Sequence, residues 1–253
     1  MNHSVRQAAS LKRLWKLSRV VSALIAGVLA VGLVGCSSSP PKEAEHAATV
    51  ADSSASDAPF DTTRVLAIIE GVSASSEDLY DMAKAGDWMK AAAGVDSLKE
   101  FSQQLRSAVS GRAEQQDRLG KAVAALDLGV GSKDRLVAMR EANAVTLVGI
   151  DLDAEFMPLV PADVARLDYY GRELEIGAES GDLKILQQAA DGARSAWAAV
   201  SPAVEAHGGT AEAKKFSALM AKTESAKTPA DFGRLATPIL EEVDNLERVF
   251  EKK

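Results

Sequence analysis

LKILQQAADGARSAWAAVSPAVEA, residues 183–206, decides the fold class. Leu183, Leu186, Ala190, Ala193, Trp197, Val200 and Val204 recur in strict 3-4 alternation, which places them on one seam of an α-helix. Gly181-Asp182 precedes the stretch and His207-Gly208-Gly209 follows it. A glycine that ends one helix and an aspartate that caps the next read as a tight helix–helix turn. The same grammar runs outward in both directions. Val164, Leu167, Gly171, Leu174 and Ala178 form the face of the preceding helix. Thr210 opens a following helix with Phe216 and Leu219, and Thr228-Pro229 supplies an N-cap and a first-turn proline. The last helix carries Phe232, Leu235, Ile239, Val243, Leu246 and Phe250. Pro202 and Pro238 lie inside helices and are expected to bend them, since each removes a backbone donor.

The N-terminal side reads likewise. Val65, Ile68, Ile69, Val72, Leu79 and Met82 mark a helix, and Gly86-Asp87 closes it. Trp88, Ala91, Val95, Leu98, Leu105 and Ala108 mark a second, ending near Gly111. A shorter helix over 112–126 carries Leu119, Val123 and Leu126. Leu128-Gly129-Val130-Gly131 reads as a loop with Ser132 as N-cap, and a long helix over 133–157 is closed by Pro158 and Pro161. No strand pair or hairpin signal is found. The two halves align: Ala83 to Trp88 matches Ala178 to Leu183 at an offset of 95, and Arg135-Leu136 is paired with Arg234-Leu235. The expectation is an all-α protein, a four-helix-bundle-like or duplicated helical bundle over 61–253, with candidate repeats 61–157 and 158–253.

Composition bounds the chemistry. The 253 residues hold 29 basic and 36 acidic side chains, for a net charge of -7, with one Cys and three His. One Cys excludes a disulfide framework and a thiolate metal site. The acidic balance argues against nucleic acid as a partner. A mean hydropathy of -0.05 excludes a multi-span membrane protein.

The charge is uneven. Arg6, Lys12, Arg13, Lys16 and Arg19 precede residue 20, and residues 1–35 hold no acid. An uncharged run from Val20 to Gly35 follows, shorter than the roughly 20 residues of a membrane-spanning helix, so 1–35 reads as a secretory signal peptide. It ends in Leu33-Val34-Gly35-Cys36, followed by Ser37-Ser38-Ser39-Pro40-Pro41. This resembles the lipobox of bacterial lipoproteins. The resemblance implies removal of 1–35, lipidation of Cys36 and membrane attachment through the N-terminal lipid. Ser37 rather than Asp after the Cys implies outer-membrane sorting over inner-membrane retention in a host with two membranes. Residues 36–60 are then the lipidated Cys and a disordered tether, too poor in large apolar groups to offset the entropy of ordering. A flexible chain of that length spans roughly 25–30 Å. Without the signal's five basic residues the product is near -12, and 61–253 near -9.

Of the histidines, His3 lies in the signal and His46 in the tether, leaving His207, which the helix dipole favours as a C-terminal cap. HExxH, GxSxG, P-loop and Rossmann signatures are absent, so a non-enzymatic role without cofactor is expected. Carboxylates are the main polar chemistry. Asp151 and Glu155 share a helix face, with Asp153 turned away, at a C-terminus where acids oppose the dipole. Asp168, Glu173 and Glu175 form a second group, and Glu241, Glu242, Asp244 and Glu247 a third. Arg166, Arg172 and Arg248 stand near enough in sequence to neutralise them. Candidate ligand- or cation-binding residues are Asp151, Glu155, Asp168, Tyr169, Tyr170, Glu241 and Asp244; whether they hold a metal is open. Asn143 and Thr146, polar within an apolar stretch, are expected to bond between helices. Trp88 and Trp197 are expected in the core, and one of Tyr169 and Tyr170 away from it.

The phrase Ala193-Arg194-Ser195-Ala196-Trp197 through Pro202-Ala203-Val204-Glu205-Ala206 resembles helices of the imelysin-like periplasmic proteins. That resemblance implies a secreted protein of duplicated helical bundles, in a family some of whose members are linked to iron uptake. The family's GxHxxE motif is missing here, so no functional residue is carried over. Two functions follow from the residues. One is an envelope interaction protein that contacts its partner through an acidic helical surface. The other is a lipoprotein with a carboxylate-lined cleft for a small ligand or cation.

Overall fold

The computed structural model describes residues 62–109, 111–156 and 158–251. The signal, Cys36 and the 37–60 segment lie outside them. The described residues form eight α-helices: α1 Thr62–Ala85, α2 Trp88–Ala108, α3 Ala113–Ser132, α4 Arg135–Asp153, α5 Ala162–Ser180, α6 Leu183–Ala206, α7 Thr210–Ser225 and α8 Pro229–Glu251. A single 3-10 turn, Ala154–Phe156, follows α4. Helix α1 packs on α2 and α4, and α3 on α2 and α4, which closes a four-helix ring; α5–α8 repeat the same pairing. The protein is therefore all-α and made of two bundle-like units.

Each unit has its own core. The cores share a register. Buried Ala91, Val95, Leu98 and Leu105 of α2 find buried counterparts 95 positions later in Leu186, Ala190, Ala193 and Val200 of α6. Ile69, Val72, Ser76 and Leu79 of α1 match Val164, Leu167, Gly171 and Leu174 of α5 in the same way. The pairing of Arg135-Leu136 with Arg234-Leu235 does not fit this register. Arg135 opens α4, whereas Arg234 lies one and a half turns into α8. The N-caps Asp134 and Thr228 are the equivalent points.

Three of the helix–helix turns are one device. Gly86 and Gly181 adopt left-handed φ of 72° and end α1 and α5. The aspartate after each accepts from the first turn of the next helix, Asp87 from the Lys90 amide and Asp182 from those of Lys184 and Ile185. The third turn corrects the sequence reading. Residues 128–131 are not a loop: α3 runs through them to Ser132. Lys133 takes the left-handed position, φ 56°, and Asp134, not Ser132, caps α4 by accepting from the Val137 amide. The amides of Lys133 and Asp134 return to the carbonyls of Val130 and Gly129. This is the bonding that a terminal glycine makes elsewhere. Gly129 serves packing instead, since a Cβ there would lie 3.0 Å from the Ala138 backbone nitrogen of α4. Helix α4 is also shorter than the 133–157 expected, because the 3-10 turn replaces its last residues before Pro158. At α8, Thr228 and Asp231 exchange bonds between side chain and backbone amide, a reciprocal cap. Pro202 and Pro238 lie within α6 and α8.

Candidate functional site

The face that α5 turns towards α1 and α4 is polar. Asp168, Arg172, Glu175 and Glu179 recur every three or four residues, so they share that face. Both Glu175 oxygens accept from Lys84 Nζ of α1 at 2.6 Å, and one also accepts from the Tyr80 hydroxyl at 2.9 Å. Burial and the Glu175 carboxylate push the Tyr80 phenol far above its ordinary value, so it remains a donor. Arg172 is only 4% exposed. Its Nη2 lies 2.9 Å from Asp168 and 3.7 Å from Glu77, and its guanidinium sits over the Tyr80 ring at 5.1 Å. Burial alone would lower its pKa, but Asp168, Glu77 and Asp81 outweigh that and hold the cation. Arg172 Nη1 has no hydrogen-bond partner among the described residues. Arg135 at the start of α4 pairs with Glu179.

Along α4, Asn143 Nδ2 donates to the Tyr169 carbonyl at 3.1 Å and to Glu173 at 2.7 Å. Thr146 bonds to Ser76 of α1 at 2.9 Å. Both are the interhelical bonds expected of polar residues in an apolar stretch. Burial pushes the Glu173 carboxyl up, against the pull of Asn143 and Arg140 and with that of Glu141.

The acids singled out from the sequence have separate basic partners. Asp151 accepts from Arg118 at 3.1 Å and Arg166 at 3.3 Å, Glu155 pairs with Arg112, and Asp168 with Arg172. Glu241 is exposed, whereas Glu242 is buried and held by Asn245 at 2.8 Å. Asp244 is engaged within the fold. Among the described residues no three His, Cys, Asp or Glu side chains are placed to hold a metal ion. The rings of Tyr169 and Tyr170 meet edge-on at 5.1 Å. Tyr170 lies flush against Gly192 of α6, and Tyr169 borders a groove of about 400 Å³ floored by Ala122, Ala144, Leu147 and Val148. Glu141 is the sole acid lining that groove. Trp197 is buried and donates to Ser217, and Trp88 packs half-buried on the first core. His207 caps α6, its ring nitrogen 2.8 Å from the Ala203 carbonyl.

A further acidic surface, outside the sequence candidates, lies on α1. Helix α1 carries Glu70, Glu77, Asp78 and Asp81 against only two basic residues, Arg64 and Lys84, and Lys84 is taken by Glu175. Glu70, Asp78 and Asp81 are exposed. Glu70, Glu77 and Asp81 stand seven and four residues apart, one stripe of a helix. The strip extends onto α4, where burial, and then the nearby Glu70 carboxylate, raise the Asp153 carboxyl. The spacing was readable. Unlike Asp151 and Glu155, the acids of α1 do not oppose a helix dipole at a C-terminus.

No family model, curated protein or solved structure matches this chain.

Proposed function

We propose that this chain is a lipid-anchored protein of the bacterial cell envelope. Its helical double bundle binds a basic protein partner through the acidic face of α1. The observation that carries the reading is that face: Glu70, Asp78 and Asp81 are exposed on one helix, and Glu70 stands near Asp153, whose carboxyl is pushed up by burial and then by Glu70. Like charges held together on a rigid helix steer a basic partner and select for it. The carboxylates Asp151, Glu155 and Asp168 hold arginines, which leaves the cation-cleft alternative without a cluster to support it. The anchor rests on Leu33-Val34-Gly35-Cys36. Two or three acyl chains exceed the marginal hold of one.

The test is capture of cross-linked envelope proteins by the full chain in its native membrane, for the wild type and for Glu70→Lys/Asp81→Lys. The expected result is a basic partner whose capture falls at least about tenfold in the variant and in high salt. A partner retained equally by both forms overturns the acidic-face reading. A Cys36→Ala chain that still incorporates palmitate overturns the anchor.

A further inference from the structure

The second bundle holds a pocket of about 340 Å³ between α6, the last turn of α7 and the start of α8. Gln187, Asp191 and Arg194 line it from one face of α6, Thr223 and Glu224 from α7, Lys227 from the connection and Phe232 from α8. The first bundle pairs its corresponding cation across the gap. Lys99, 95 positions before Arg194, lies between two carboxylates, Asp96 at 3.8 Å on its own helix and Asp127 at 2.8 Å on α3. Arg194 keeps the carboxylate on its own helix, Asp191, but across the gap its Nη1 donates to the neutral Thr223 hydroxyl at 3.1 Å. Among the described residues no carboxylate across the gap bonds to Arg194, and a cavity lies there.

The other charges of the pocket wait in complementary places. Among the described residues the Glu224 carboxylate and the Lys227 ammonium have no ion-pair partner. Glu224 also lies in the last turn of α7, where the helix dipole favours a cation. Arg194 is held in position by Asp191 and Thr223, and the Phe232 ring gives one apolar wall. A cavity of this size is at the lower end of small-ligand sites, roughly 300–1,000 Å³.

We propose that this pocket binds a small zwitterion, an α-amino acid or a short peptide. Its carboxylate lies between Arg194 and Lys227. Its ammonium meets Glu224 at the end of α7, and its side group lies against Phe232. The site is separate from the acidic face of α1, so either reading stands if the other fails.

The test is titration calorimetry on the full chain in detergent micelles. The probes are L-leucine and L-alanyl-L-alanine, with acetate and methylammonium as the separated halves. The expected result is half-saturation below about 10 mM for at least one zwitterion, with each half binding at least about tenfold more weakly. Arg194→Gln and the exposed Lys227→Ala are each expected to weaken binding about tenfold or more. Thr223→Asp places a carboxylate against Arg194 and is expected to exclude that of the ligand. Because Thr223 is buried, Lys227→Ala decides the matter if that variant fails to fold. No zwitterion binding below about 10 mM, acetate binding as well as the zwitterion, or binding indifferent to both Arg194→Gln and Lys227→Ala would overturn the proposal.

Discussion

Replacing Arg172 with Met is the sharpest probe of how the two bundles are joined. Methionine keeps most of the aliphatic stem and removes the charge. The side chains involved are poorly solvated: Arg172 is 5% exposed, Asp168 16% and Glu77 29%. Removing one partner of a buried pair costs about 3–5 kcal/mol, because the remaining charge is stranded. Two features place this case at the low end. Arg172 Nη1 makes no hydrogen bond among the described residues, and Glu77, at 3.7 Å and more exposed, can be rehydrated. The expected loss is about 3 kcal/mol. Removing Asp168 as well, in Arg172→Met/Asp168→Leu, replaces the pair by apolar groups and should recover most of that loss. The assay is urea denaturation followed separately through Trp88 in the first bundle and Trp197 in the second, each in a background where the other is Phe. Because Arg172 of α5 ties itself to Glu77 and Tyr80 of α1, its loss should pull the two transitions apart. A single-variant loss below about 1 kcal/mol with coincident transitions, or a double variant as unstable as the two losses summed, would refute the reasoning.

Two further outcomes follow from particular residues. Burial raises the Glu173 carboxyl above its ordinary value of 4.5, so the fold favours its protonated form. Its contribution to stability is complete below that value and declines as pH rises through the raised one. Glu173→Gln keeps an acceptor for Asn143 and removes the titration, so urea midpoints should fall less steeply from about pH 4.5 upward than in the wild type; parallel curves would contradict this. Lys133 occupies a left-handed position that costs a side-chain-bearing residue roughly 1–2 kcal/mol, so Lys133→Gly should raise stability by about 1 kcal/mol in the same assay.

That lysine also marks where sequence stops specifying structure. The turns Gly86-Asp87 and Gly181-Asp182 were legible because both residues state their roles locally, glycine for the left-handed position and aspartate for the cap. At Lys133-Asp134 the same turn is built with an unfavourable residue, and the glycines upstream, Gly129 and Gly131, pointed to a loop. Gly129 is a glycine for a reason that local reading lacks, namely the backbone of α4 lying against it. The candidate site divides in the same way. That Asn143 and Thr146 would bond across helices was readable from their apolar surroundings. That their partners are Glu173, the Tyr169 carbonyl and Ser76 depends on which helices become neighbours. Likewise, the pairing of Asp168 with Arg172 is local to one helix, but only packing assigns Asp151 and Glu155 to arginines as distant in sequence as Arg118 and Arg112.

The joint between the bundles follows a different rule from the cores it connects. Counterparts 95 residues apart are buried alike in α1 and α5 and in α2 and α6. Between the bundles, α5 and its own counterpart α1 turn equivalent faces towards each other: Glu77, Tyr80 and Lys84 of α1 stand 95 positions before Arg172, Glu175 and Glu179 of α5. The equivalent of Glu175 in that register is Tyr80, and the two are bonded to each other at 2.9 Å. The junction thus brings two matching positions of the repeat together and gives them complementary chemistry, a donor on one helix and an acceptor on the other. The bonds of Tyr80, Lys84 and Arg172 fit one register of α1 against α5. Ile176, the residue after Glu175, is the α5 side chain buried in the first core. On this argument, exchanging the charges of Lys84 and Glu175 should restore the coupling that either reversal alone destroys.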